Sequence, residues 1–526
     1  MAQRYHAVII GGGHNGLVTA AYLARAGRRV LVLERRELLG GCSVTEEVWP
    51  GFRVSTAAYL TSLLQERIVR DLDLPAHGYR VDAKDPAFFS PYPDGRYFFM
   101  WQDRRKTLDE IAKFSRRDAE AYPRYEDHLE RLSQVVERLL LMTPPQFPPA
   151  GIADFPDYLK VLGKLRGLGR NEMAGLVKIF TQSASDFLDD WFESPEVKVT
   201  LATDGVIGAN GGPRSAGTAY ILLHHCMGGV AGHRGLWGFV RGGMGAVSEA
   251  IASAARAAGA EIRTNAEVER IVVKNGRAAA VALRGGDEIE ADAIASNADP
   301  KVTFLRLCDP KDLPDDFIAA VRRLRCEGTS VKINLALSGL PDFRCLPGTP
   351  GPQHGATMHI CPSIDYIERA WDDAKYGRPS RSPLLEMTVP TMYDPSLAPA
   401  GRHIMGIFLQ YGPYTLSEGT WDELREPFAD RVIDIISEYA PKIRDIVLHR
   451  QVLTPLDLER RFGITGGNIF HGEMSLDQMF VMRPVAGYAR YRTPLPGLYL
   501  CGSGAHPGGG VMGAPGYNAA REMLKG

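Results

Sequence analysis

A glycine-rich loop directly between a strand and a helix constrains the fold of this chain more than any other feature. Residues 8–16 read VIIGGGHNG, an apolar run that breaks into glycines, and residues 17–26 continue with helical spacing. Residues 30–34, VLVLE, form a second short apolar run that ends in an acid. This order predicts two parallel strands joined by a crossover helix, the unit of an α/β nucleotide-binding domain.

Gly11, Gly13 and Gly16 occupy the GxGxxG positions of that loop. The first glycine permits a tight turn, the second leaves space for a pyrophosphate, and the third lets helix and strand pack closely. The helix that starts near His14 presents free N–H groups and a positive dipole end to phosphates. Glu34, at the end of the second strand, suits the ribose hydroxyls of an adenosine. These residues together predict a dinucleotide site.

The charge balance and the cysteines exclude several classes of protein. Lys plus Arg number 61 against 62 Asp plus Glu, so the basic excess of a nucleic-acid binder is missing. The seven cysteines contain no CxxC pair, which argues against a disulfide framework and a structural metal site. The nucleotide-binding pattern begins at Val8 and leaves no room for a leader segment. We therefore expect a cytoplasmic protein, with peripheral contact to a membrane left open.

The chain predicts a discontinuous domain organisation. Residues 1–75, 225–300 and 455–526 are expected to form the dinucleotide-binding domain, and residues 76–224 a mostly helical insertion over the substrate. Residues 301–454 are expected to form a β-rich substrate domain. Within the first domain, residues 267–273 and 278–284 predict a hairpin around Asn275 and Gly276. Residues 498–500 predict a last strand, with a helix starting near Ala514.

The residues after Glu34 carry a resemblance to a known family. Arg36 lies two positions on, and the glycine pair Gly40 and Gly41 follows. In this arrangement the sequence resembles the FAD-dependent amine oxidase and phytoene desaturase superfamily, whose members bind the FAD pyrophosphate and ribityl chain with this loop. Cys42 departs from the pattern, because many members carry an arginine there. The resemblance implies FAD as the cofactor and an α/β fold with a glutathione-reductase-type Rossmann domain, an inserted α+β substrate domain and a helical region.

Two further segments carry the same resemblance. Residues 241–246, RGGMGA, precede the predicted hairpin, in which Val268 matches a family position that contacts adenine. Residues 501–513, CGSGAHPGGGVMG, resemble the carboxyl-terminal flavin-binding run of phytoene desaturases, with Met512 where many have proline. A helix starting beyond this run would favour the negative charge of a reduced flavin. The residues so assigned to FAD are Gly11, Gly13, His14, Asn15, Gly16, Glu34, Arg35, Arg36, Gly40, Gly41, Cys42, Val268, Gly502, Ser503, Gly504, Val511, Met512 and Gly513.

Residues 201–229 and 466–484 resemble most closely the group of flavoproteins related to pyridine nucleotide-disulphide oxidoreductase domain-containing protein 2, and next the carotenoid ketolases. The resemblance implies an FAD-dependent dehydrogenase, desaturase or oxidase that moves a hydride from a substrate C–H bond to flavin N5. The expected substrate is a small hydrophobic molecule, a polyene, an isoprenoid or an amine, and the electron acceptor a quinone or O2. An FAD-dependent amine oxidase and a scaffold of weak catalytic activity are the alternatives.

Residues that could assist the chemistry are less clearly marked. His506 lies in the flavin turn and could move a proton or simply stabilise the turn. His471 and Glu473 could face the substrate as a donor and acceptor, although loop hydrogen bonding explains them as well. Ser475 and Gln478 fit a capping box. Residues 224–226, HHC, are interpreted as ordinary packing because adjacent side chains point to different faces.

Residues 158–170, YLKVLGKLRGLGR, alternate basic and apolar side chains. Such a segment could dock on an anionic membrane, but a solvated helix that covers a core is the more common explanation, and its glycines weaken the case for an amphipathic helix.

Overall fold

Strands and helices alternate through most of the structure, a computed structural model that describes residues 4–166, 168–230 and 232–525. The strands in chain order are β1 (Tyr5–Ile10), β2 (Val30–Leu33), β3 (Thr45–Trp49), β4 (Phe52–Ser55), β5 (Val81–Ala83), β6 (Phe88–Pro91), β7 (Tyr97–Met100), β8 (Gly229–Val230), β9 (His233–Arg234), β10 (Gly238–Val240), β11 (Glu261–Arg263), β12 (Val268–Lys274), β13 (Arg277–Leu283), β14 (Glu288–Ser296), β15 (Ser330–Leu337), β16 (Thr357–Ile360), β17 (Leu384–Thr388), β18 (His403–Gln410), β19 (Val447–Leu453) and β20 (Leu498–Leu500).

The helices in chain order are α1 (His14–Arg25), α2 (Glu66–Asp71), α3 (Arg104–Ala112), α4 (Arg116–Leu140), α5 (Phe155–Leu165), α6 (Arg170–Thr181), α7 (Ala184–Asp189), α8 (Pro195–Ala202), α9 (Thr218–Cys226), α10 (Gly245–Ala257), α11 (Pro300–Val302), α12 (Asp315–Arg323), α13 (Ile364–Lys375), α14 (Trp421–Tyr439), α15 (Ile443–Ile446), α16 (Pro455–Phe462) and α17 (Ala514–Met523). In the described part of the chain, none of these is both long and apolar enough to cross a bilayer.

The first large sheet is the predicted nucleotide-binding sheet. Strand β1 lies at its centre, with β2 and then β11 on one side and β14 and then β20 on the other, all parallel. Val8 and Ile9 of β1 are fully buried. Helix α1 packs against both α10 and α17. The opening, middle and closing segments of the sequence therefore share one sheet and one core, and the predicted α/β fold class is confirmed.

The predicted hairpin is also confirmed. Strands β12 and β13 pair antiparallel, and β13 continues onto β14. Asn275 and Gly276 form the turn with φ values of 53° and 70°. Asn and Gly adopt these positive φ values more readily than other residues, as a two-residue turn between twisted strands requires.

The second large sheet has the order β19-β15-β18-β17-β16-β6-β7. Strand β15, an interior strand between β19 and β18, is buried along its whole length. Strands β6 and β7 come from residues 76–224, which the sequence assigns to a mostly helical insertion, and they join this sheet through β16. Their runs FFSP and YFFM are aromatic and favour strands. Similarly, Phe304 and Phe317, from residues 301–454, belong to the core of the first sheet. The division into domains otherwise stays a prediction.

Candidate dinucleotide and substrate cavity

A cavity of about 550 Å³ is lined by residues of both large sheets. Gly11 and Gly13 come from the opening loop, Val268 from the β12–β13 hairpin, and Ser503 and Val511 from the closing segment. Three stretches that are far apart in sequence therefore meet around one space. The arrangement has the position and the composite wall that a bound dinucleotide requires.

Small residues allow the loops around this cavity to approach one another. A Cβ atom on Gly13 would lie 2.6 Å from Nδ2 of Asn297, and one on Gly16 would overlap the carbonyl oxygen of Gly11. The N–H of Gly40 donates to the carbonyl of Gly12 at 2.8 Å, so the second glycine pair lies directly against the first loop. Side chains at these positions would separate the loops.

Glu34 holds two backbone segments and also faces the cavity. Its Oε2 accepts a hydrogen bond from the N–H of Gly12 at 2.8 Å, and its Oε1 accepts one from the N–H of Arg36 at 2.9 Å. The side chain lines the cavity. A carboxylate has about four lone-pair positions, so two remain for the hydroxyls of a ribose.

The two arginines after Glu34 differ in their partners. Arg36 forms an ion pair with Glu46 at 2.5 Å and lies over the ring of Phe462. Arg35 donates from Nη2 to the carbonyl of Arg461 at 2.9 Å. Both line the cavity, but each guanidinium also anchors the wall to a neighbouring segment.

Several buried polar atoms in the wall have no hydrogen-bond partner among the described residues. They are Nε2 of His14, Oδ1 of Asn15, Nη1 of Arg36 and Nδ1 of His471, and all four residues line the cavity. Buried polar atoms are nearly always hydrogen-bonded, so this set indicates an elongated ligand with several donors and acceptors. Together with the glycine loops and Glu34, they fit FAD.

Most of the residues assigned to FAD line the cavity directly. These are Gly11, Gly13, His14, Asn15, Glu34, Arg35, Arg36, Gly40, Gly41, Cys42, Val268, Ser503 and Val511. Gly16, Gly502, Gly504, Met512 and Gly513 are not among the lining residues. Gly502 instead allows close packing, since a Cβ there would lie 2.5 Å from the carbonyl oxygen of Asn297. Gly513, with φ of 72°, precedes α17.

Cys42 is not activated as a thiolate. Burial raises the pKa of its thiol to about 12, although the charge of Arg36 opposes this shift. At neutral pH the side chain is therefore a neutral thiol in the cavity wall.

The structure separates the three candidate catalytic residues. His471 lines the cavity and adopts φ of 60°. Glu473 does not line it; the carboxylate pairs with Arg325 at 3.0 Å and accepts from Asn210 at 3.0 Å. His506 is also outside the lining, with Nε2 3.1 Å from the carbonyl oxygen of Leu139. Only His471 is thus placed to touch a ligand in this cavity, while the other two have structural partners.

The neighbouring capping-box prediction is wrong. The side chain of Ser475 accepts no capping hydrogen bond from a backbone N–H of the short helix that follows it. Gln478 instead accepts from the N–H of Arg325 at 2.8 Å. Arg325 also pairs with Asp477 at 2.7 Å, so the loop is held by an arginine from another segment rather than by its own cap.

A group of charged side chains lines another part of the cavity. We call Lys84, Asp204, His225, Lys332 and Glu386 the charged cluster. Sequence reasoning missed all five as site residues and interpreted the segment containing His225 as packing. A signal existed for two of them, because Lys332 and Glu386 are lone charges in the apolar strand runs SVKINLAL and LLEMT.

Charges of both signs interact within the charged cluster. Burial lowers the pKa of Lys84 to about 8 and that of Lys332 to about 7, although Glu386 opposes both shifts. Burial raises the pKa of Asp204 to about 7. Burial opposes the ionisation of Glu386, but the nearby ring of His359 and a hydrogen bond from the hydroxyl of Tyr59 hold the pKa of this carboxyl below its usual range.

Apolar and aromatic side chains line the same cavity as the charged cluster. They are Phe88, Ile207, Trp237, Val331 and Phe408. Two of them, Phe88 and Trp237, contact Lys84 and His225 respectively. The ring of Tyr59 stacks on Phe408, and its hydroxyl donates to Glu386 at 2.6 Å. The cavity thus combines a dinucleotide-binding part with a part suited to an organic molecule.

Comparisons with known proteins agree with this geometry. The family model for flavin containing amine oxidoreductases matches residues 16–397. Pyridine nucleotide-disulfide oxidoreductase domain-containing protein 2 of Rattus norvegicus is 45% identical over all of this chain and 94% of its own length. One of the polypeptides of limonene dehydrogenase from Castellaniella defragrans is 29% identical over 98% of this chain and 94% of its own length. A phytoene desaturase of Pseudescherichia vulneris is 25% identical over 96% of each chain.

Solved structures show the same fold. Cyclohexylamine oxidase from Brevibacterium oxydans superposes with a TM-score of 0.58, at 15% identity, over 99% of each chain. The resemblance of the sequence to the amine oxidase and phytoene desaturase superfamily is confirmed, with phytoene desaturases as distant relatives. This chain belongs to the flavin containing amine oxidoreductase family and takes FAD as its cofactor.

Proposed function

We propose that this FAD-dependent oxidoreductase removes a hydride from a C–H bond of an organic substrate bound beside the charged cluster. The observation that carries the proposal is the single cavity that contains both the glycine loops with Glu34 and an apolar, aromatic region around Phe88, Trp237 and Phe408. A substrate in that region would lie in the same enclosed space as the cofactor. FAD, when bound, supplies the hydride-accepting ring.

The protein's own contribution is binding, orientation and exclusion of water. The stacked rings of Tyr59 and Phe408 offer flat apolar surfaces to a hydrocarbon portion of the substrate, and buried Val331 adds an aliphatic one. A polyene or another isoprenoid fits this character, and a quinone or O2 is the proposed electron acceptor. The name of the limonene dehydrogenase relative supports a hydrocarbon-like substrate.

An amine is the second candidate substrate. Asp204 and Glu386 place two carboxyl groups at the cavity wall, where they could attract an ammonium group. The structural likeness to cyclohexylamine oxidase is in keeping with this alternative.

The test is a substrate screen on the FAD-loaded protein. Isoprenoid hydrocarbons and amines are added anaerobically, and loss of the visible flavin absorbance reports reduction. Reduction of the flavin by one of the two compound classes, followed by reoxidation in air or by a quinone, supports the proposal. The class that reduces the flavin shows whether the substrate is an isoprenoid or an amine. A flavin that dithionite reduces but none of the tested compounds reduces, and that air reoxidises only slowly, would favour the scaffold alternative.

We also propose a peripheral contact with an anionic membrane through an exposed apolar patch. The patch consists of Ile152, Phe155, Leu159 and Leu162, which are 87%, 59%, 64% and 61% exposed. Their spacing places them on one face of α5 and the turn before it. Lys160, Arg166 and Arg170 are exposed beside them. Apolar side chains flanked by basic ones suit the interface of a bilayer that carries anionic lipids.

A further inference from the structure

The buried guanidinium of Arg483 has no carboxylate as a partner. Arg483 is 2% exposed, and among the described residues no carboxylate oxygen lies within 4.0 Å of its nitrogens, the limit for an ion pair. The nearby carboxylate of Glu473 pairs with Arg325 instead. Burial lowers the pKa of Arg483 to about 10, so the side chain is still protonated at neutral pH. Buried charges are normally paired, because an isolated charge is costly to remove from water.

Backbone carbonyls surround the guanidinium in place of a counter-ion. It donates to the carbonyl oxygens of Phe470 at 2.5 Å, Ser503 at 2.8 Å and Glu473 at 3.1 Å. The carbonyls of Gly472 and Gln478 each accept at 3.2 Å. These dipoles make burial of the charge possible. They carry no net charge, so the positive charge of Arg483 remains uncompensated.

The guanidinium lies directly behind the cavity wall. Phe470 and Ser503, whose carbonyls it binds, both line the cavity, and so does His471 between two of its partners. A Cβ on Gly508 of the closing segment would lie 3.8 Å from Nε of Arg483. One layer of backbone therefore separates the charge from a ligand in the cavity.

This part of the wall belongs to the flavin half of the cavity. Glu34 suits the adenosine ribose and the glycine loop suits the pyrophosphate, so the rest of FAD would extend past His14 toward Phe470, His471 and Val511. The charge of Arg483 reaches this wall. Burial is the main cause that lowers the pKa of His471; Asp299 opposes the shift, and the charge of Arg483 adds to it.

We propose that Arg483 stabilises the negative charge that the flavin ring gains on reduction and so raises the reduction potential of the bound cofactor. A hydride brings two electrons and one proton, so the reduced ring carries one negative charge unless it takes up a second proton. That anion supplies the counter-charge that the protein lacks around Arg483. The N-terminus of α17 adds a partial positive charge of its own, which every variant below retains. The inference concerns the cofactor and does not depend on the identity of the substrate.

The experiment measures the midpoint potential of the full-length, FAD-loaded protein and of two variants, by spectrophotometric titration against a reference dye after gel filtration. Arg483→Lys keeps the positive charge and Arg483→Gln removes it. Both lose hydrogen bonds to the loop carbonyls and should be less stable, so the difference between them isolates the charge. Arg322→Gln, on the exposed side of α12, is the control.

The expected result is a lower potential in the neutral variant alone. A unit charge close behind a buried wall, where the effective dielectric constant is about 20, changes such an equilibrium by about tenfold. Arg483→Gln should therefore lower the ratio of reduced to oxidised flavin at a fixed potential by about tenfold or more, which is about 30 mV for a two-electron couple. Arg483→Lys should change the ratio by less than about threefold, and Arg322→Gln should leave it unchanged.

A second pair of variants keeps Arg483 and its hydrogen bonds. Burial raises the pKa of the Cys326 thiol to about 12, and the charges of Lys301 and Arg483 oppose this shift, so position 326 lies within the field of the guanidinium. Cys326→Asp offers Arg483 a carboxylate and should lower the potential. Cys326→Asn has the same shape without the charge and should leave the potential as it is. This pair decides the question if both Arg483 variants lose FAD.

Two results overturn the proposal. The first is an Arg483→Gln potential equal to that of Arg322→Gln, including the case in which FAD affinity falls while the potential stays the same. The second is an equal shift in Arg483→Lys and Arg483→Gln, which would assign the effect to the hydrogen bonds. If only the Cys326 pair retains FAD, equal potentials of its two members overturn the proposal. A potential that depends on Arg483 in a protein that no organic compound reduces would support this inference and contradict the proposed function.

Discussion

At the scale of single residues, the position of a side chain relative to the cavity distinguishes residues of the same type. His14 and His471 line the cavity and each has one unpartnered ring nitrogen, whereas His506 lies outside the lining, with Nε2 3.1 Å from the carbonyl oxygen of Leu139 and Nδ1 unpartnered. The same histidine type therefore takes different roles according to what surrounds it. The buried histidines and the loop glycines each lead to a prediction at this scale.

The buried histidines predict a loss of stability in acid. Burial lowers the pKa of His506 to about 4 and of His224 to about 3, below the ordinary value of 6.5. Between pH 6.5 and 4 the unfolded chain binds protons at these positions and the folded chain does not, so stability falls as pH falls. Each histidine contributes about 1.4 kcal/mol per pH unit. The urea midpoint at pH 7.5, 6.5 and 5.5 measures this.

The His506→Gln variant should lose part of that pH dependence. The exposed His449 provides the control, because His449→Gln should leave the slope as it is. An identical slope in all three proteins would contradict the assignment of the acid sensitivity to buried histidines.

Gly16→Ala should weaken FAD retention. The added Cβ would overlap the carbonyl oxygen of Gly11 and push α1 away from the loop, at a cost of about 1–3 kcal/mol. The ratio of flavin to protein after gel filtration and the melting temperature report the change. Gly163→Ala in α5, where no atom lies within 4 Å of the new Cβ, should keep FAD and slightly stabilise its helix. Equal FAD content in both variants would contradict the prediction.

At the scale of elements, one buried arginine ties the loop that contains His471 to the closing segment. Arg483 is 2% exposed and donates to the carbonyls of Phe470, Gly472, Glu473, Gln478 and Ser503. Burial lowers its pKa to about 10. Backbone carbonyls supply the negative ends of dipoles, so the charge is solvated by the loop itself.

Arg483→Lys should destabilise the protein by about 3 kcal/mol or more, because a lysine cannot satisfy so many carbonyls at once. The melting temperature should drop and FAD should dissociate faster, since Ser503 belongs to the cavity wall. Arg322→Lys, on the exposed side of α12, is the control. A melting temperature equal to that of the control would show that the loop does not depend on Arg483.

Helix α5 carries the second element-scale prediction. Leu159→Ser together with Leu162→Ser should reduce sedimentation with vesicles that contain phosphatidylserine, because both side chains are more than half exposed on the proposed membrane face. Neutral phosphatidylcholine vesicles should bind the unmodified protein more weakly, and salt should weaken binding to anionic ones. Leu448→Ser, at another exposed leucine, controls for loss of apolar surface. Equal sedimentation of all variants would contradict a role for α5.

At the scale of the whole molecule, the cavity joins the two large sheets, so cofactor binding and global stability should be linked. Removing FAD should lower the melting temperature, and adding it back should restore the original value. At 100 times the dissociation constant, a ligand that binds only the folded protein adds about 2.7 kcal/mol. ADP should restore less, because it reaches Glu34 and the glycine loops but not the region around Lys332. A melting temperature that does not change when FAD is removed or added would contradict a cofactor site that both sheets share.

The sequence by itself determined the local pattern of the dinucleotide-binding half. The loop at residues 11–16 and the hairpin turn at Asn275 and Gly276 depend on backbone conformation and spacing, which neighbouring residues dictate. Family resemblance then identified FAD, because three such local patterns matched at once. These features were predictable because each is encoded within a few consecutive residues.

Only the tertiary structure decided what the cavity can recognise. Lys84, Asp204, His225, Lys332 and Glu386 lie on five separate segments and come together at one cavity only in the folded chain. A lone lysine in a strand such as β15 signals a buried charge, but its partners and their distances depend on long-range packing. The same packing leaves Glu473 and His506 outside the cavity lining, where each has a structural hydrogen-bond partner. Burial and contact depend on the folded chain and cannot be read from the order of residues.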